Sequence, residues 1–172
     1  PSGTRIPTQT LVWSAGIHGA PLGAGLGIEL AKGNRVRIRP TTEVIGLEEV
    51  YAVGDMTYLE DEHGVPYAQM IPQAQQQGEL AAHNILRRMQ GQPQHDFAYT
   101  DRGIMATIGR SRAVAWLYNR IPLRGFPAWI VWLVFHLMTL LGFRNRLQVF
   151  VNWVWNYFTY DRSIRIILDR DD

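Results

Sequence analysis

The chain has 172 residues, which is enough for one ordinary domain with a real core or for part of a larger protein. It contains no cysteine, which excludes disulfide scaffolds, thiolate metal sites and dithiol redox chemistry within it. The net charge is only +2, but residues 1–101 hold seven basic and eleven acidic residues, whereas residues 102–172 hold ten arginines and four acidic residues. Five of the six tryptophans also lie after residue 101. Such a basic, aromatic region is typical of binding to nucleic acid or a membrane surface.

The first third of the chain contains three short β-prone runs. TLVWS (10–14) is predicted to be a buried strand that enters a Gly-rich turn. Val36–Arg39 alternates apolar and basic residues and ends at Pro40, which predicts an edge strand. Residues 50–53 are a second candidate for a buried strand, and this run ends at Gly54-Asp55. The start, PSGTRIPTQT, has no apolar core of a signal peptide, so none is predicted.

A helix is predicted to begin near Pro72, because the missing N–H of proline costs nothing in a first helical turn. Gly91-Gln92-Pro93 ends it, and residues 91–101 are predicted to be a hinge between the two compositional regions. The predicted buried face has residues at spacings of three and four. These are Ala74, Gly78, Ala81, Ala82, Ile85 and Met89.

The last third contains two apolar segments. Residues 125–143 (GFPAWIVWLVFHLMTLLGF) are nineteen positions without a charge, at the threshold length for a transmembrane helix, but Pro127, His136 and Thr139 oppose spanning. Residues 147–160 have a polar stripe on an otherwise apolar helix and are too few to cross a bilayer. The stripe consists of Gln148, Asn152 and Asn156.

We therefore expect these segments to lie in the membrane interface. The expected partner of the basic, aromatic region is thus lipid and not nucleic acid. Tryptophan rings and guanidinium groups anchor such helices at the headgroups. The expected anchors are Trp129, Trp132, Arg144, Arg146, Trp153 and Trp155. Two alternatives remain: the helices form a soluble core or homodimer interface, or the first one spans the membrane.

Gly54-Asp55 and the Gln-rich helix start are the candidate ligand site. A strand that ends in Gly-Asp places a carboxylate at a sheet edge, where open α/β sheets bind ligands. The amino end of the following helix offers unpaired N–H groups and the positive end of a dipole. Amide side chains there could bind a quinone carbonyl without adding charge. The alternatives are a purely structural turn and a polar helix start that faces solvent.

The order and content of five stretches resemble the carboxyl-terminal portion of type II NADH:quinone oxidoreductases, the single-subunit respiratory flavoproteins that do not pump protons. These stretches are TLVWSAGI (10–17), VYAVGDM (50–56), PQAQQQG (72–78), DRGIMATIGRSRAVA (101–115) and residues 128–167. The resemblance covers essentially the whole chain.

The resemblance implies an α+β fold: part of a two-dinucleotide-binding-domain (FAD/NAD(P)-binding) fold, followed by an α-helical amphipathic region that associates with the membrane. The implied domains are residues 1–90 (part of the FAD/NAD-binding domains), 91–121 (a linker that closes the quinone pocket) and 122–172 (anchoring helices and tail). It also implies FAD as cofactor, NADH and a membrane quinone as substrates, and a peripheral, monotopic location on the cytoplasmic face of the cell membrane.

The resemblance assigns roles to individual residues. Asp55 would hold the FAD ribityl chain, Gly54 would be a further cofactor-binding residue, and Gln73 and Ala74 would approach the flavin pyrimidine edge. The implied quinone-binding residues are Pro72, Gln76, Arg102 and Met105. Many family members have glutamine at the position of Pro72 and lysine at that of Arg102, and arginine titrates far less readily than lysine.

No G-x-G-x-x-G fingerprint follows a strand in this chain. The family has two such fingerprints, so the chain is expected to be a carboxyl-terminal fragment that binds FAD weakly on its own. A membrane-anchoring or dimerisation module without chemistry is the alternative function. Sulfide:quinone and dithiol chemistry is disfavoured by the absence of cysteine. The five histidines lack metal-ligand spacing, so no metal is assigned.

Overall fold

The structure, a computed structural model, describes residues 3, 7–12, 14 and 16–159 and divides into two compact units, Pro1–Thr100 and Asp101–Asp172. Small sheets and helices occur in both units, so the predicted α+β class is confirmed. The three-part domain division remains a prediction.

The first unit contains a three-stranded sheet and one long helix. Strand β1 (Leu30–Ala31) pairs antiparallel with β2 (Arg35–Arg37), and β2 pairs parallel with β3 (Thr57–Tyr58). The order is β1-β2-β3, so β2 is the central strand and its predicted edge position is wrong. Pro40 does not interrupt the ladder because it follows the end of the strand. The core cluster beneath this sheet consists of Val36, Ile38, Val44, Leu59 and Phe97.

Two predicted strands are absent. Residues 10–12 and 14 form no strand, and Leu11 and Val12 are 77% and 82% exposed; Trp13 lies outside the described residues. Residues 50–53 are also not a strand, because only Tyr51 forms an isolated bridge, with Glu43. A strand needs hydrogen-bonding partners along its length. Residues 10–12 and 14 have no backbone partner among the described residues, and residues 50–53 bond only to Thr42 and Val44 on either side of this one bridge.

Helix α1 (Ile71–Met89) confirms the predicted helix and its end. Met70 is the extended residue before it, Pro72 lies in its first turn, and Gly91 has the left-handed conformation that favours glycine after a helix end. The predicted buried face is largely wrong, because Ile85 and Met89 are 40% and 80% exposed. The side chains that are buried are Gln73, Gln77, Ala81 and Asn84. Their spacing of three and four is helical, but three of them are amides.

The second unit begins with a sheet that the sequence did not predict. Strands β4 (Gly103–Thr107), β5 (Ala113–Leu117) and β6 (Ile121–Gly125) form an antiparallel meander in this order. Met105 pairs with Ala115, and Ala115 with Leu123.

Two helices follow the meander. Helix α2 (Phe126–Thr139) packs on the sheet, where Ala128 is fully buried in a cluster with Ala113 and Ala115. These small side chains allow the helix to approach the strands closely. Helix α3 (Phe143–Thr159) begins four residues earlier than predicted, and residue 160 lies outside the described part.

The uncharged stretch 125–143 is therefore not one helix. Leu140 is extended, and Gly142 has a φ of 81°, which turns the chain between α2 and α3. Because glycine lacks a Cβ, it adopts this conformation without strain. No helix in the described part of the chain is both long and apolar enough to cross a membrane.

Candidate functional site

The Gly54-Asp55 turn packs against the first turns of α1. Residues 54–56 form a single 3₁₀ turn, in which Gly54 has a φ of 78°. A Cβ at Gly54 would lie 3.3 Å from the Cβ of Ala74, so the glycine allows both the left-handed conformation and the close approach of the helix. The predicted proximity of the Gly-Asp turn and the Gln-rich helix start is thus present within the first unit.

Gln77 connects these two elements. Its Oε1 accepts a hydrogen bond from the Gly54 N–H at 2.7 Å and lies 3.3 Å from the Thr57 hydroxyl, which is also 2.8 Å from the Gly54 carbonyl oxygen. Gln77 is only 1% exposed. Its Nε2 group has no hydrogen-bond partner among the described residues.

Asp55 extends from this turn into solvent. Its carbonyl oxygen accepts a hydrogen bond from Gln69 Nε2 at 2.6 Å, which gives the main chain of the turn a second point of attachment besides Gln77. Within the described residues the carboxylate forms neither a hydrogen bond nor an ion pair. The carboxylate is therefore available to accept hydrogen bonds from a ligand.

A small cleft separates Asp55 from the start of α1. Its lining includes Gln73, Ala74 and Gln77 from the helix, and its cavity volume is about 10 Å³, the space of one water-sized atom. Gln73 is 5% exposed, and its side chain forms no hydrogen bond among the described residues. Buried amides normally have partners, so the cleft suits a single ligand oxygen or one water.

The helix start adds electrostatic attraction for an oxygen. Met70 provides no side-chain cap, and the first turn of α1 contains no acidic residue. Its first N–H groups and the positive end of its dipole therefore remain available to a carbonyl or anionic group. Pro72 contributes an apolar ring and no N–H donor.

Gln76 has a structural bond that the sequence did not indicate. Its Nε2 donates to the Thr100 carbonyl oxygen at 3.0 Å, and its Oε1 accepts from the Thr100 N–H at 2.9 Å. The Gln76 side chain thus satisfies both main-chain groups of Thr100, the last residue of the first unit, in the way that a neighbouring strand would. One amide N–H and one oxygen lone pair remain for a ligand.

Met105 lies in β4, the first strand of the second unit, and Arg102 directly precedes this strand. The side chain of Arg102 is exposed, and its carbonyl oxygen accepts from the Tyr118 N–H at 3.1 Å. Met105 packs against the cluster beneath α2, so it is half-buried on the covered face of the sheet.

Asp101 organises the start of β4. Its carboxylate accepts hydrogen bonds from Asn119 Nδ2 at 2.8 Å and from the Gly103 N–H at 2.7 Å, and these two bonds lower the pKa of Asp101. Gly103 has a φ of 98°, and a Cβ there would lie 2.0 Å from the Trp116 carbonyl oxygen. Only glycine fits at this position.

The expected membrane anchors occupy two kinds of environment. Trp132 contacts Trp153 at a ring distance of 6.1 Å, and Trp129 contacts Tyr157 at 5.6 Å, so these rings connect α2 and α3. An open apolar groove of about 330 Å³ lies between the two helices. Trp155, in contrast, is 65% exposed.

The connection between α2 and α3 forms an apolar tip, defined here as Met138, Leu141 and Phe143. These side chains are 59%, 86% and 80% exposed. Arg144 and Arg146 follow directly, and Arg146 Nε donates to the Leu140 carbonyl oxygen at 2.9 Å. Exposed apolar groups beside cations are typical of a membrane-interface contact.

The sequence predicted Asp55, Gln73 and Ala74 at the cleft but missed Gln77 and Gln69. Gln73 and Gln77 are four residues apart, so the helical spacing could have placed both amides on one face. The hydrogen bond from Gly54 to Gln77 spans 23 positions and left no local signal.

Comparison with known proteins agrees with the resemblance. Residues 102–160 match the family described as NDH2 C-terminal domain. The chain is 32% identical over 173 residues to the type II NADH:quinone oxidoreductase Ndh of Mycobacterium tuberculosis. This alignment covers 96% of this chain and 36% of that protein. It is 34% identical over 159 residues to NdhA of the same organism (87% of this chain, 32% of that protein).

A more distant relative is the mitochondrial internal alternative NAD(P)H-ubiquinone oxidoreductase A1 of Arabidopsis thaliana, at 29% identity, with 94% of this chain and 35% of that protein covered. The chain spans about a third of the length of these relatives.

The fold is similar to that of NDH2 from Plasmodium falciparum, solved in complex with NADH, with a TM-score of 0.57 and 14% identity over 75% of this chain and 40% of that one. Residues 102–160 therefore match the NDH2 C-terminal domain, and the resemblance of the chain to the carboxyl-terminal portion of type II NADH:quinone oxidoreductases is confirmed.

Proposed function

We propose that this chain is part of a membrane-associated, FAD-dependent NADH:quinone oxidoreductase, which passes electrons from NADH to a membrane quinone without pumping protons. The observation that carries the proposal is the Gly54-Asp55 turn held against the uncapped start of α1, in a chain whose residues 102–160 match the NDH2 C-terminal domain. When bound, FAD would supply the two-electron chemistry between NADH and quinone.

The residues at the cleft fit a flavin. The Asp55 carboxylate, which has no partner in the part of the chain that the structure describes, can accept hydrogen bonds from ribityl hydroxyls, and Gly54 lets the ligand approach the backbone closely. At the helix start, the Gln73 N–H next to Ala74 can donate to a carbonyl of the pyrimidine edge and stabilise negative charge there, whereas the Ala74 N–H is bonded to the Met70 carbonyl oxygen. The amide of Gln73, which has no hydrogen-bond partner among the described residues, suits a ligand oxygen in the cleft.

The quinone-binding residues are proposed separately for each unit, Pro72 and Gln76 in the first and Arg102 and Met105 in the second. Gln76 retains one amide N–H that can donate to a quinone carbonyl, and the Pro72 ring adds an apolar surface next to it. Arg102 offers a cation that stays protonated through turnover, so it can stabilise a developing negative charge but does not deliver a proton. Met105 contributes an apolar, adaptable side chain.

We also propose that the second unit attaches the enzyme peripherally to the cytoplasmic face of the membrane. The support is the apolar tip, the adjacent arginines and the ten arginines of residues 102–172. Anionic headgroups attract such cations by about 1 kcal/mol each near the surface.

The experiment is to purify the full-length protein that contains this chain and to compare it with its Asp55→Ala variant. We expect the wild type to retain flavin through dialysis and to reduce a soluble quinone with NADH. Asp55→Ala should remove charge-assisted hydrogen bonds worth about 1.5–3 kcal/mol and lose flavin, with the fold unchanged by circular dichroism.

Glu62→Ala is the matched control, because this carboxylate is 86% exposed and lies away from the cleft. A wild type without flavin would refute the proposed function and favour an anchoring module. Full flavin retention by Asp55→Ala would refute only the role of Asp55.

A further inference from the structure

The Gly54-Asp55 turn depends on a single buried amide oxygen. Gln77 Oε1 accepts from the Gly54 N–H at 2.7 Å, and Gln77 is 99% buried. No other side chain in the described residues bonds to the Gly54 N–H. Thr57 reinforces the same turn, because its hydroxyl lies within 2.8 Å of the Gly54 carbonyl oxygen and 3.3 Å of Gln77 Oε1.

This contact helps to fix the main chain that carries Asp55. Within the described residues the Asp55 side chain forms no bond, so only the main chain of the turn determines which region its carboxylate can reach. Gln77 holds the Gly54 N–H, and Gln69 holds the Asp55 carbonyl oxygen at 2.6 Å. Gln77 can therefore act on the position of Asp55 without touching its carboxylate.

We propose that Gln77 is a positioning residue for the flavin site: it orients the Asp55 carboxylate toward the ribityl hydroxyls. This inference rests on the proposed function. The competing possibility is that Gln77 only stabilises the packing of α1 on the turn, in which case its loss lowers stability but leaves the contribution of Asp55 intact.

A double-mutant cycle on the full-length protein separates these possibilities. The variants are Gln77→Met, which keeps the length of the side chain but has no amide oxygen, Asp55→Ala, and the double variant. The dissociation constant of FAD is measured by titrating apoprotein with FAD and following the flavin fluorescence. Gln75→Met is the matched control, because Gln75 lies on the same helical turn and is exposed.

Gln77→Met should raise the dissociation constant of FAD about tenfold, the size of one lost hydrogen bond at the upper end of its range. In the Asp55→Ala background the same change should have less than about a twofold effect, because no carboxylate remains to be positioned. Gln75→Met should bind FAD like the wild type.

Equal effects of Gln77→Met in both backgrounds, or no effect in either, would overturn the inference while the proposed function stands. A wild type that binds no FAD would overturn both. If Gln77→Met does not fold, Thr57→Val replaces it, because this near-isosteric change removes the hydroxyl that bonds to the same turn. The effect of Thr57→Val on the dissociation constant of FAD should also depend on the presence of Asp55. An effect that does not depend on Asp55 would equally overturn the inference.

Discussion

At the scale of single residues, buried amides connect α1 to the loops of the first unit. Asn84 is fully buried, donates to the carbonyl oxygens of Thr41 at 3.0 Å and His95 at 2.8 Å, and accepts from the His95 N–H at 2.9 Å. Gln77 bonds to the Gly54 turn through its oxygen alone, which accepts from the Gly54 N–H. Since a buried backbone group without a partner costs about 1–3 kcal/mol, these amides are required for the loops to pack on the helix.

Asp101 predicts a pH dependence of stability for the second unit. Hydrogen bonds from Asn119 and the Gly103 N–H make the pKa of Asp101 lower in the folded protein than in the unfolded chain. Such a group stabilises the fold above about pH 4, and this contribution is lost as the pH falls through the folded pKa. Asp101→Asn should therefore lower the free energy of unfolding at neutral pH, by about 0.5 kcal/mol because the carboxylate is largely exposed and screened.

The measurement is chemical denaturation of the wild type and Asp101→Asn from neutral pH to about pH 3. The difference between the two proteins should shrink below about pH 4. Asp96→Asn, at an exposed carboxylate without a side-chain bond among the described residues, is the control and should change little. A difference for Asp101→Asn that grows on acidification would contradict this assignment.

At the scale of elements, the break between α2 and α3 determines which apolar groups reach solvent. The rings of Trp132 and Trp153 pair between the helices, whereas the apolar tip at Met138, Leu141 and Phe143 has no cover among the described residues. The polar stripe of α3 at Gln148, Asn152 and Asn156 is exposed. The tip and its two arginines are therefore the expected point of membrane contact.

Replacing Leu141 and Phe143 with glutamate should abolish binding of the protein to vesicles that contain anionic lipid. Each glutamate places a charge where an apolar side chain would enter the interface, and it also opposes the attraction of Arg144 and Arg146 for the headgroups. Vesicle flotation measures the bound fraction.

Met89→Glu is the matched control, because Met89 is also 80% exposed but lies at the end of α1 in the first unit. It should bind vesicles like the wild type. Undiminished binding of the double glutamate variant would exclude the tip as the anchor.

At the scale of the whole molecule, the prediction is attachment from one side of the bilayer. Removing everything from residue 122 onward is a poor test, because residues 121–125 form β6 and Ala128 is buried in the core of the second unit. Protease sites avoid this problem. One is inserted between β4 and β5 at Gly109, and the other is placed after residue 160.

Both sites should be cut by protease added to the cytoplasmic face of sealed vesicles, and neither from the opposite face. A monotopic protein exposes all of its chain on one side, whereas a spanning helix between the two sites would separate them. Cleavage of the two sites from opposite faces would establish a span. Vesicles opened with detergent serve as the control. The protease reaches both faces in them, so both sites must be cut.

The sequence by itself determined the features that depend on local signals. Pro72 and Gly91 predicted the start and end of α1, the shift in charge at residue 101 coincides with the boundary between the two units, and the family motifs predicted what the comparisons later found. Each of these signals is read along the chain without knowledge of which distant residues come into contact.

Only the tertiary structure decided which strands form and which helix face is buried. Residues 10–12 are as β-prone as β2 but have no partner among the described residues, whereas β4, β5 and β6 form because each has a neighbour in register. In the same way, Gln77 and Asn84 are buried rather than Ile85 and Met89, because loops distant in sequence present backbone groups to which these amides bond. Hydrogen-bond partners that lie far apart in sequence leave no local periodicity, and for this reason the positioning of Asp55 by Gln77 became visible only in the folded chain.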